Sequence, residues 1–193
     1  TAYRRQRQMC IRDRGKTVFK NGNVYEGEYV KGKREGYGTY TFPDGEKYEG
    51  QWFQDQQHGK GIYYFMNNNR YDGMWFQDYQ QGKGTMYYYT GDVYEGDWVN
   101  DKREGQGTYT WKNGSKYEGS WKNDKKDGEG TFVWNDGCKY EGDWKNDVRD
   151  GKGTFEYANG DKYVGDWKDD MQHGKGIYFF HTGDRYEGSY VQG

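Results

Sequence analysis

Three histidines, two cysteines and a recurring carboxylate are the residues whose types could support chemistry. Histidine serves as a general base or metal ligand near neutral pH, a thiolate is a nucleophile, and paired carboxylates carry acid–base hydrolysis. The spacing assembles none of these. His58 and His173 fall at the same phase of a 23-residue period, in a slot held elsewhere by Glu35, Gln81, Glu104, Asp127 and Asp150, which reads as a polar loop position. His181 lies near a different turn. Cys10 and Cys138 form neither a disulfide framework nor a metal motif, and Cys138 replaces Glu46, Asp92, Ser115, Asp161 or Asp184 at a turn. Glu49, Glu95, Glu118 and Glu141 recur once per unit, which argues for structure, with cross-strand partners among Lys47, Lys116, Lys139 and Lys162. Gly59-Lys60-Gly61 and Gly151-Lys152-Gly153 lack the strand–loop–helix setting of a phosphate loop. The chain reads as no enzyme, with no catalytic residue, no cofactor and no metal site.

The period itself is the dominant signal. Tyr25, Tyr48, Tyr71, Tyr94, Tyr117, Tyr140, Tyr163 and Tyr186 recur at intervals of 23. Gly follows each at +2, and a second aromatic at +4: Trp52, Trp75, Trp98, Trp121, Trp144 and Trp167, with Tyr29 and Tyr190 at the ends. A Gly-x-Gly pair comes next, as in Gly36/Gly38 and Gly105/Gly107. Tyr48, Gly50 and Trp52 at period two read as one face of a strand around residues 46–53; Gly61, Tyr63 and Phe65 read as one face of a second strand around 59–65. The opposite faces carry Glu49, Gln51, Ile62 and Tyr64, so the sheet has a ring-lined side and a wetter side. Gly on the ring-lined side leaves room for a ring to lie over the backbone. Asp44-Gly45, Asn113-Gly114, Asp136-Gly137 and Asn159-Gly160 are hairpin signals, with Asn68 replacing Gly in one unit, since Asn also tolerates positive φ. The polar stretch 54–58 reads as a longer loop. Hairpins set side by side, two strands per unit, advance roughly 10 Å per repeat, with contacts between neighbours only. The fold class is all-β: one elongated, single-layer antiparallel sheet.

Composition explains why the core must be aromatic. Leucine is absent, and Ile, Val and Phe together number 21 of 193 residues, against 22 Tyr and 8 Trp. A single layer cannot bury both faces by itself. The ring-lined face is therefore the expected partner surface: Tyr48, Trp52, Tyr63, Phe65, Tyr71, Trp75, Tyr94, Trp98, Tyr109, Trp111, Tyr117, Trp121, Phe132, Trp134, Tyr140, Trp144, Tyr163 and Trp167. A net charge of −2 speaks against nucleic acid. Residues 1–14 are out of phase and hold five Arg and one Asp, so the remainder is still more acidic and shows no basic cluster for anionic lipid. Those residues read as a tail, a scar or a targeting remnant, and the chain as a fragment of a longer array with an open strand at each end.

The unit Tyr94-Glu95-Gly96-Asp97-Trp98, followed by Gly105-Gln106-Gly107, resembles the MORN (membrane occupation and recognition nexus) repeat. The resemblance covers residues 15–193, as seven full repeats with partial ends, and departs from it at Asp72 and Val164. It implies a twisted single-layer ribbon. MORN arrays occur in ciliary radial-spoke heads, junctional membrane proteins, cytoskeletal scaffolds, lipid kinases and a lysine methyltransferase. The expectation is a cytoplasmic scaffold in a cytoskeletal assembly, the axoneme of a cilium or flagellum foremost. It would bind other proteins of that assembly: further MORN chains, a helix, or a peptide along the groove. The alternatives are a membrane-apposed tether and a regulatory region of a longer enzyme.

Overall fold

Residues 13–191 are described by the computed structural model. Among them are sixteen strands, β1 (Asp13–Val18) to β16 (Arg185–Tyr190), and no helix. Strand order in the sheet equals order in the chain, so each strand pairs only with its sequence neighbours. β1 takes in Asp13 and Arg14, the last two residues of the Arg-rich segment; the rest of that segment, Cys10 included, lies outside the described residues.

One unit shows how the sheet is made. β8 (Val93–Val99) meets β9 (Lys102–Thr110) with Tyr94 opposite Tyr109, Gly96 opposite Gly107 and Trp98 opposite Arg103. β9 meets β10 (Lys116–Lys122) with Tyr117 opposite Tyr109 and Gly119 opposite Gly107. Glycines thus form a row across the strands, and a tyrosine ring lies flat on each pair. A Cβ on Gly107 would stand 2.3 Å from the Tyr94 Oη. That hydroxyl donates to the Asp97 carbonyl at 3.0 Å, and the Trp98 indole donates to the Gly84 carbonyl of the preceding unit at 3.1 Å. Tyr94 then packs edge-to-face on Trp98 and Trp121, 5.2 and 5.3 Å between centroids. Repeated along the chain, this alternation is the core: a ribbon lacking a second layer hides its rings by laying them on a side-chain-free backbone.

The two sets of connections differ from the sequence expectation. Between β4 (Lys47–Phe53) and β5 (Gln56–Tyr64) stand only Gln54 and Asp55, both at positive φ (47° and 72°). That is the backbone of a two-residue type I′ turn. The stretch 54–58 is therefore a tight turn running into a strand, not a loop, and His58 is a strand residue. The Asp-Gly segments make the longer connection: Gly45 N–H donates to Phe42 O at 3.0 Å and Phe42 N–H to Glu46 O at 2.9 Å, with Gly45 at φ +95°. Asn68 holds the glycine's place at φ +64°. The lysine–glutamate pairs also differ. Lys47–Glu49 and Lys139–Glu141, both 2.8 Å, run along one strand at i, i+2 rather than across strands.

Candidate binding groove

The ring-lined face carries a repeated cation. Arg103 lies with its guanidinium carbon 4.5 Å from the Trp121 ring centre. Its Nε donates to Asp124 Oδ1 at 3.2 Å and its Nη2 to the Asp124 carbonyl at 2.7 Å. Asp124 is the second residue of the next type I′ turn, and its carboxylate also accepts the Arg103 backbone N–H at 2.9 Å. Arg34 over Trp52 (4.3 Å) with Asp55, and Arg149 over Trp167 (4.5 Å) with Asp170, repeat this bracket. Lys126 lies 4.1 Å from Trp144, and burial there pushes its ammonium pKa down. At the same phase the second and third repeats have Gln57 and Gln80, and the seventh has Gln172.

A second row of rings flanks the first, nearer the Asp-Gly turns. Tyr63 packs on Phe65 at 4.6 Å, Tyr109 on Trp111 at 4.5 Å and Phe132 on Trp134 at 4.3 Å. Met86 stands in this row where its counterparts are aromatic. Around Gln57, Gln80 and Met86 the face opens into a groove of about 660 Å³, with Trp75 and Trp98 among its lining and Phe65 and Tyr88 beside them.

The residues expected on the partner face divide by depth. Tyr48, Tyr71, Tyr94, Tyr117, Tyr140 and Tyr163 are fully buried, and Trp52, Trp75, Trp98, Trp121, Trp144, Trp167 and Phe132 nearly so. Tyr63, Phe65, Tyr109, Trp111 and Trp134 are half-buried against that core. The groove brings together Tyr63, Phe65, Trp75 and Trp98 from the expected set. Reading by residue type missed Gln57, Gln80, Met86, Asp78 and Asp101; a comparison of successive 23-residue units at fixed phase shows each as a departure or a turn acid.

The remaining candidates are dispersed. His58 sits between the exposed rings of Phe53 and Phe76 on the opposite face, 5.6 and 5.2 Å away. His173 lies in β15 (Met171–Phe179). His181 binds Asp161 through its backbone N–H and ring Nδ1, both at 2.8 Å, which holds that carboxyl well below the usual range. Cys138 is half-buried at a turn. No three His, Cys, Asp or Glu among the described residues group as metal ligands. A hollow of about 1100 Å³ follows the opposite face, where Lys116 pairs with Glu118, Lys139 with Glu141 and Lys152 with Asp166.

A family model described as MORN repeat matches seven consecutive units, residues 25–47, 48–70, 71–93, 94–116, 117–139, 140–162 and 163–185. No curated protein sequence matches the chain. Among solved structures, the fold is similar to the TCP10 domain of Danio rerio CPAP, at 14% identity and TM-score 0.54, covering 91% of this chain and 83% of that one. It is similar also to that domain in complex with a peptide of Danio rerio STIL (14%, TM-score 0.52, 92% and 75%). The TCP domain of Drosophila melanogaster SAS-4 in complex with a proline-rich motif of Ana2 is a third (12%, TM-score 0.51, 92% and 90%). At these identities the likeness concerns the fold alone.

Proposed function

The chain belongs to the MORN repeat family, and on that premise we propose that it is a non-catalytic scaffold that holds an extended segment of a partner protein against the ring-lined face of its sheet. The observation that carries this reading is the groove around Gln57 and Gln80, a ring-walled opening in the face of stacked aromatic side chains. Aromatic-lined grooves suit extended and proline-rich segments, whose backbone is already stiff. Of two proteins of similar fold, one is described in complex with a proline-rich motif and the other in complex with a peptide. The setting proposed is a cytoskeletal assembly, with the ciliary axoneme and its radial spokes as the family context.

Selection of displayed peptides of about 12 residues on the immobilised chain tests the reading. Enriched sequences should bind the purified protein and protect backbone amides of β5 and of β7 (Tyr79–Tyr87), which border the groove. No enrichment, or protection confined to the Glu- and Lys-bearing face, would rule it out. For the setting, the chain should co-sediment with demembranated axonemes; failure to do so removes the axonemal assignment alone.

A further inference from the structure

We propose that the groove is a receptor for arginine: a guanidinium of the partner segment enters beside Gln57 or Gln80 and takes the position that this chain's own arginines fill in other repeats. The proposal rests on the scaffold reading above and names the chemistry that the groove selects.

The chain supplies its own template. Arg34, Arg103 and Arg149 each lie over a Trp ring at 4.3–4.5 Å and bond the carboxylate and carbonyl of the following turn Asp. In the second and third repeats ring and acid are present, as Trp75 with Asp78 and Trp98 with Asp101, but the cation is replaced by a shorter, neutral glutamine. Asp78 and Asp101 accept a backbone N–H from Gln57 and Gln80 at 2.7 and 2.8 Å, and neither has an ion pair among the described residues. The one basic residue lining the groove, Arg103, is paired with Asp124. The groove therefore has an uncompensated negative charge beside electron-rich ring faces, the pairing that attracts a cation.

The glutamines point the same way. Gln57 and Gln80 line the groove with little of the residue exposed, their side-chain amides remain open to solvent there, and neither amide has a hydrogen-bond partner among the described residues. Gln172, at the same phase, has one: its Nε2 donates to the Tyr157 hydroxyl at 2.8 Å. The counterparts of Tyr157 are Phe42 and Phe65, which have no hydroxyl. Met86, in place of a ring, adds an adaptable wall. Three departures from the repeat thus fall in one groove, and each leaves something for a ligand to complete.

Arginine fits this frame better than lysine. A planar guanidinium stacks on indole and donates to two oxygens at once. Lys126, the chain's own lysine in the frame, forms no ion pair with Asp147 among the described residues, although its backbone N–H bonds that Asp as the Arg103 N–H bonds Asp124. The two subsites are one repeat apart, two strands or roughly 10 Å. An extended or polyproline segment advances about 3.1–3.4 Å per residue. One segment therefore fills both subsites with arginines three apart, as Arg-x-x-Arg.

The test is calorimetry or fluorescence anisotropy with a nine-residue Arg-Pro-Pro-Arg peptide, its citrulline analogue and its lysine analogue. Each is titrated into the natural chain and into Gln57→Arg/Gln80→Arg, which fills both subsites from within. The arginine peptide should bind the natural chain at least tenfold more tightly than either analogue. The double variant should lose at least tenfold in affinity while melting at an equal or higher temperature. Should that variant misfold, Asp78→Asn/Asp101→Asn, which keeps the turn geometry and removes the charge, should show the same loss. Equal binding of arginine and citrulline peptides, or undiminished binding to a folded double variant, overturns the arginine site. If library-selected peptides still bind under those outcomes, the scaffold reading survives; if no peptide of any composition binds, both fall.

Discussion

A methyl group on Gly107 would stand 2.3 Å from the Tyr94 hydroxyl, whereas one on Gly114 would meet nothing within 4 Å, although Gly114 has φ +89°. Two physical roles of glycine are separated here, close approach of a ring and a left-handed backbone. Gly107→Ala must lift Tyr94, break its bond to Asp97 O and disturb its contacts with Trp98 and Trp121; a cost of about 3 kcal/mol is expected, at the upper end for overpacking. Gly114→Ala adds only the left-handed backbone term, about 1–2 kcal/mol. Urea midpoints should rank them in that order, and the reverse ranking would refute the ring-over-glycine packing. The first role was legible in the sequence, because Tyr and Gly keep a fixed offset through every unit. The groove residues were not. Gln57 and Gln80 are unremarkable until one knows that the residue at their phase lies over the next repeat's Trp, a contact set by cross-strand register.

The turns show how local signals mislead. Asp-Gly is a hairpin signal and the stretch 54–58 the expected longer loop, yet Asp-Gly makes the longer connection, with Gly at the left-handed position. Apart from Lys31-Gly32 and Asp169-Asp170 nearer the ends, the two-residue turns are Gln-Asp and Asn-Asp pairs, as at Asn123 and Asp124 with φ 47° and 67°. Such residues carry a strain there that glycine would not. The Asp is kept in spite of it because its carboxylate reaches the Arg103 backbone N–H 21 residues upstream and stitches one repeat to the last. Asp124→Ala removes that acceptor and the carboxylate bonded by Arg103 Nε, leaving the Nη2 bond to the backbone carbonyl, whereas Asp78→Ala removes only the acceptor for Gln57 N–H. Asp124→Ala should therefore be the more destabilising, by about 0.5–1 kcal/mol, since the ion pair is part-exposed and screened by solvent. Chemical denaturation in low salt checks the difference, which should shrink in 1 M NaCl; equal losses in low salt would mean that the guanidinium bracket adds nothing.

The whole ribbon depends on neutral tyrosine. Seven tyrosines, Tyr25 to Tyr163 at intervals of 23, are fully buried. Burial raises their pKa first and foremost: Tyr25 and Tyr163, toward the two ends, to about 12, and the five between them higher still. A folded-state pKa above the unfolded value near 10 means that the native ribbon holds protons the unfolded chain would release. This contribution is intact below pH 10 and is lost as pH rises through the folded values, at up to about 1.4 kcal/mol per pH unit for each tyrosine. Stability should therefore be flat to about pH 10 and then fall steeply, with the part of the 295 nm tyrosinate absorbance that the seven buried rings contribute rising in step with loss of the near-ultraviolet circular dichroism. Because strands pair only with their neighbours and the rings reach no farther than the next repeat, the loss need not be simultaneous. Tyr25 and Tyr163, nearest the ends of the row, are the less-shifted tyrosines, so the units that hold them should open first. Carbon-bound aromatic NMR signals of Trp52 and Trp167 should broaden at lower pH than those of Trp98 and Trp121. Simultaneous loss of all four would contradict the one-dimensional picture. Titration of all seven tyrosines near pH 10 would contradict the burial that the glycine row makes possible.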